Sequence, residues 1–105
     1  MTVRTAHTAT CPIAKVADLI GDTVTLLIVR DLLSGPKRFG DLESSLAGVS
    51  SRTLTKRLKM LEGCGLIVRH EFAERPPRVE YALTKKGRGL GRVANAMKEY
   101  GETYL

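Results

Sequence analysis

The stretch Gly48 to Gly65, GVSSRTLTKRLKMLEGCG, decides the fold. Gly48 suits the left-handed turn that ends one helix, and Ser50 suits the cap of the next, its hydroxyl accepting from the Arg52 or Thr53 amide. At about 100° per residue, Leu54, Leu58 and Leu61 share one face while Arg52, Lys56 and Lys59 gather on the opposite one. A helix from about Ser51 to Glu62 that packs on one side and offers cations on the other fits a phosphate backbone. An ordinary solvated helix has the same pattern, so the flanking segments decide.

Downstream, Leu66 to Phe72 (LIVRHEF) has strand character, Ala73 to Arg78 (AERPPR) has turn character, and Val79 to Thr84 resumes a strand. A helix followed by a hairpin with a basic tip reads as a winged helix-turn-helix, mainly α with a small β-hairpin. Upstream, residues 1–10 are polar and unpatterned and read as a loose arm, leaving 11–105 as one domain. Pro12 suits the first turn of a helix, with Ile13, Val16, Ala17 and Ile20 as its stripe and Gly21 as its stop. Asp22 suits the cap of a second helix, in which Leu26, Leu27, Val29, Leu32 and Leu33 form a face broad enough to require burial. After the break at Ser34-Gly35-Pro36, Lys37 to Phe39 reads as a small strand, and Phe39, Leu42 and Leu46 as a third helix.

Lys85 to Leu105 is one further helical segment. Gly87, Gly89 and Gly91 each cost about 1 kcal/mol there relative to Ala, yet Leu90, Val93, Met97, Tyr100 and Tyr104 keep helical spacing. A helix that forms only when packed reconciles the two, and in so short a chain the natural partner is a second copy.

At 105 residues the chain has room for one modest core. The net charge of +6 points to a polyanionic partner. Up to Gly48 five cations balance five acids, whereas from Val49 twelve cations face six acids, so all of the excess lies in the candidate recognition helix, the hairpin and the C-terminal segment. No apolar run approaches the roughly 18 residues that span a bilayer, and the N-terminus lacks a signal-peptide core, so a cytoplasmic protein is expected. There Cys11 and Cys64 are thiols by default.

No constellation of an enzyme is visible. The glycines at 87, 89 and 91 lack the pattern of a dinucleotide site, and His7, Cys11, Cys64 and His70 match no zinc spacing, so neither cofactor nor metal is expected. Cys11 stands apart: directly before Pro12, it meets unpaired amide donors and the positive end of a helix, which favour thiol reactivity. Cys64, between two glycines, reads as a space-filling turn residue.

The run Cys11-Pro12-Ile13, LLSGPKRFGDL (Leu32 to Leu42), GVSSRTLTKRLKMLEGCGL (Gly48 to Leu66) and PPRVEYALTKKG (Pro76 to Gly87) resemble the HxlR-type family of bacterial winged-helix regulators, MarR-like proteins, over nearly the whole chain. The resemblance implies a homodimeric transcription factor on inverted-repeat operators in double-stranded DNA, paired through its first and last helices and in several branches responsive to oxidants or electrophiles such as quinones. It marks Cys11 as a candidate redox sensor. One departure is that Val24 stands where the family usually has a tryptophan, which alters whatever that ring shapes near the first helix and weakens any inference about a ligand pocket.

Ser50, Ser51, Arg52, Thr55 and Lys56 fall near the helix end that reaches base edges in such proteins. Arg52 suits a bidentate contact to guanine, and Lys56 and Lys59 suit phosphates. At the hairpin tip Arg75 and Arg78 suit the flanking backbone or minor groove, Arg78 having an internal ion pair with Glu80 or another acid as its alternative. RNA binding would favour exposed aromatics, which the helix lacks. Two further readings stay open: a regulator of the same fold that responds to a non-covalent small ligand with inert cysteines, and a winged-helix module that docks an acidic protein.

Overall fold

In this computed structural model residues 10–105 are described. The arm assigned to residues 1–10, and His7 within it, lie outside the described residues apart from Thr10. Cys11 caps the first helix, α1 (Pro12–Ile20), and Asp22 caps α2 (Thr23–Leu33), its carboxylate accepting from the Thr25 amide at 2.9 Å. Strand β1 (Lys37–Arg38) is one residue shorter than expected, because Phe39 opens α3 (Phe39–Ser45), where the Arg38 amide donates to the Asp41 carboxylate at 2.9 Å. Gly48 adopts a φ of 97° in the turn after α3, and α4 runs from Ser51 to Gly63.

Strands β2 (Ile67–Phe72) and β3 (Arg78–Leu83) form the hairpin in a register that sets Ile67 opposite Leu83 and Phe72 opposite Arg78. Arg78 therefore belongs to a strand and not to the tip. The sheet order is β1-β3-β2, all antiparallel, with Lys37 opposite Tyr81. The expected single C-terminal helix is two, α5 (Lys85–Arg88) and α6 (Gly91–Tyr104), separated at Gly89 and Leu90. Gly87 explains part of its glycine content: a Cβ there would stand 2.1 Å from the Leu66 carbonyl oxygen, so α5 packs onto the start of the hairpin only because position 87 has no side chain.

The core joins Ile28, Val29 and Leu32 of α2, Leu42 and Leu46 around α3, Leu54, Leu58 and Leu61 of α4, and Leu66, Ile67 and Leu83 of the hairpin. Two expectations about apolar faces need correction. In α2 the buried positions are Thr25, Ile28, Val29 and Leu32; Leu26 and Leu27 are half-buried and Leu33 is exposed, because that side turns towards α6. In α1 only Ile20 of the stripe is buried, while Ile13 is 80% exposed. Ile13, Val16 and Ile20 instead border an open apolar groove of about 590 Å³ whose far wall is Val93 and Met97 of α6.

Candidate nucleic-acid interface

Helix α4 presents two chemically distinct sides. Leu54, Leu58 and Leu61 are each at most 1% exposed, and their burial against α2 and β2 fixes which way the helix turns its polar side. That side carries Arg52, Thr55, Lys56 and Lys59, all exposed and, among the described residues, without an acidic partner. Four cations on one short helix with a single acid, Glu62, leave a positive field over this face.

The helix is held at both ends and along its side. Ser50 Oγ accepts from the Thr53 amide at 3.1 Å and donates to Thr53 Oγ1 at 3.0 Å, so its hydroxyl serves the cap. Ser51 Oγ donates to Glu43 Oε2 of α3 at 2.5 Å, which ties the first turn of α4 to the preceding helix. At the far end the Leu66 amide donates to the Leu61 carbonyl and the Gly65 amide to the Glu62 carbonyl, both at 3.0 Å, with Gly65 at φ 74°. This paired reversal launches β2 directly from the helix end and fixes the hairpin relative to α4. Along the side, Arg57 Nε lies 3.5 Å from Asp22 Oδ1 at the head of α2. Partial burial pushes the Asp22 carboxyl up, but the amide and hydroxyl of Thr25, the Arg57 guanidinium and the Val24 amide outweigh it and hold the group below its ordinary value. Neither Arg57 nor Glu43 stands out in the sequence reading. A cation at i+3 from a leucine of the stripe is a signal for Arg57, since it borders the packed face; nothing local points to Glu43.

The hairpin tip separates its two arginines. Arg75 is exposed and, among the described residues, has no ion-pair partner. Arg78 is engaged internally: its guanidinium lies 3.2 Å from Glu74 and 3.5 Å from Glu80, 4.2 Å above the centre of the Phe72 ring. Of the two readings open for Arg78, the geometry favours the internal pair. Cys11 Sγ accepts from the Ala14 amide at 3.4 Å and is half-buried, whereas Cys64 is the C-cap of α4 and packs against the core. Both are free thiols. Among the described residues no three His, Cys, Asp or Glu side chains converge on a possible metal position, and no helix is long and apolar enough to cross a membrane.

A cationic helix seated in a three-helix core and flanked by a hairpin defines a winged helix-turn-helix domain of the kind found in transcriptional regulators. The HxlR-like helix-turn-helix family model matches residues 19–105, and the chain belongs to that family. It is 44% identical over 95 residues to the HTH-type transcriptional regulator sll1512 of Synechocystis, covering 90% of this chain and 70% of that one, and 37% identical to YdeP of Bacillus subtilis, covering 90% and 73%. Among solved structures it is similar to the redox regulator HypR in its oxidised form, with 34% identity, a TM-score of 0.85 and coverage of 90% and 98%. It is also similar to diamide-treated YodB from B. subtilis, with 33% identity, a TM-score of 0.75 and coverage of 91% and 96%.

Proposed function

We propose that this protein is a cytoplasmic, dimeric regulator that binds inverted-repeat operator DNA, acting by binding and not by catalysis. The observation that carries the reading is the exposed set Arg52, Thr55, Lys56 and Lys59, unpaired among the described residues, on a helix whose opposite side is locked into the core. Arg52 and Thr55 reach base edges, Lys56 and Lys59 meet phosphates, and Arg75 at the hairpin tip reaches the flanking backbone. Ser50 and Ser51 shape the helix start that enters the groove. Subunits pair through α1 and α6, whose apolar side chains border the open groove between them, which sets half-sites about 10 base pairs or a multiple apart. Binding to the recovered operator that survives competition by a random polyanion is the test; a salt-sensitive association with any polyanion alike would favour an acidic-partner module instead.

Cys11 is the proposed switch. Its sulfur accepts from the Ala14 amide in the first turn of α1, and both HypR and YodB have been described in oxidised or diamide-treated and in reduced forms. Oxidation of two Cys11 thiols to an intersubunit disulfide, or capping of one by a small thiol or a quinone, at a subunit boundary would tilt one recognition helix against the other. Operator binding is compared with and without peroxide, hypochlorite and a quinone for the wild type, Cys11→Ser and Cys64→Ser. A response that survives Cys11→Ser unchanged transfers the reading to a non-covalent ligand.

A further inference from the structure

An acid stands at the head of the cationic face. Glu43 of α3 is exposed, and its carboxylate accepts from the hydroxyl of Ser51, the first residue of α4, immediately before Arg52. The first turn of a helix normally attracts anions, through its unpaired amides and the positive end of the dipole. Here the Glu43 carboxylate is held by the side chain of the first residue of α4, so a DNA phosphate approaching the head of α4 meets like charge.

The same contact limits which base edges this corner accepts. A carboxylate offers only lone pairs, and Ser51, whose hydroxyl hydrogen is engaged by Glu43, also presents lone pairs outward. The two side chains of this corner, Glu43 and Ser51, therefore offer only acceptors. In the major groove, cytosine N4 and adenine N6 are donors, while guanine O6 and thymine O4 are acceptors. Resting on the DNA-binding reading, we infer that Glu43, held by Ser51, is a specificity-determining residue that selects a base with an amine in the major groove, cytosine or adenine, beside the base read by Arg52 and suppresses attachment to DNA of arbitrary sequence.

The test uses the full chain and duplexes recovered from a randomised pool. For the wild type, replacing the cytosine or adenine at one position of each half-site by guanine or thymine is expected to weaken binding about 5- to 100-fold. Glu43→Gln, which adds a donor and removes the charge, is expected to flatten the preference at that position while tightening binding to a random duplex several-fold. Ser51→Ala, which frees the carboxylate but keeps its charge, is expected to blur the preference without tightening random binding. Thermal melting of both variants confirms that the fold is kept; these positions are exposed. Should Glu43→Gln match the wild type in base preference and in affinity for random duplex, the inference is overturned while the DNA-binding reading stands. A wild type that enriches no sequence from the pool overturns both.

Discussion

Helices α4 and α6 are nearly equal in length, 13 and 14 residues, and both are amphipathic, yet they meet opposite fates in the monomer. The three leucines of α4 are at most 1% exposed, whereas α6 has no buried residue and leaves Met97 50%, Tyr100 62% and Tyr104 71% exposed. Helix α4 is completed by its own chain, and what remains exposed is charge. Helix α6 is tethered through Leu90 and its contact with α2, and what remains exposed is apolar surface and a tilted ring pair, Tyr100 and Tyr104, with ring centres 4.9 Å apart. The same sequence period thus produces a finished ligand-facing helix in one place and an unfinished one in the other. A polar face is stable in water without a partner; an apolar face of this extent is the kind of surface proteins cover with another subunit.

That contrast is broken first by truncating each stripe. Leu58→Ala, at a fully enclosed position, is expected to destabilise the fold by about 2 to 5 kcal/mol in chemical denaturation at any protein concentration. Met97→Asp is expected to leave the melting of a dilute sample nearly unchanged but to weaken self-association by about 1.5 to 3 kcal/mol, read by analytical ultracentrifugation. Equal, concentration-independent losses in both would make α6 as self-sufficient as α4. Removal of everything after Gly87 extends the same test and is expected to give monomers or insoluble protein by light scattering.

The polar side of α4 is tested next. Arg52→Ala is expected to cost about 1 to 3 kcal/mol on operator DNA and to relax base preference, while Lys59→Ala weakens all duplexes alike and lowers the salt dependence, both read by fluorescence anisotropy.

The smallest effect belongs to the strap between α2 and α4. Asp22→Asn keeps a competent cap but removes the charge facing Arg57, and since both side chains are more than a third exposed the loss is expected to stay below about 1 kcal/mol. The folded carboxyl sits below its ordinary 3.8, so its stabilisation is present above that value and is lost as pH falls through the folded one. The wild type should therefore lose stability more steeply than Asp22→Asn below about pH 4 in an acid titration followed by circular dichroism.

Much of the recognition region was legible from residues because its signals are local. Ser50 as cap, Gly48 as a left-handed turn, and the Leu54, Leu58, Leu61 stripe each rest on signals from near neighbours in the chain. The hairpin was legible to within one residue at each strand. The split of the last helix was not, because the reason for Gly87 is the carbonyl of Leu66, 21 positions away.

By itself the sequence determined the order of elements through the hairpin, the winged helix-turn-helix class and the placement of excess charge, since caps, turns and periodicity are set by neighbours along the chain. Only the tertiary structure decided which cations remain free for a partner. Arg57 and Arg78 are claimed by Asp22, Glu74 and Glu80, while Arg52, Lys56, Lys59 and Arg75 are exposed and have no ion-pair partner among the described residues. Tertiary packing alone also brought Glu43 to Ser51 and left the stripes of α1 and α6 uncovered. Charge is a property of a residue, but its availability depends on distances of a few ångströms to other groups, as between Arg57 and Asp22 on different helices, and those distances exist only once the core has closed.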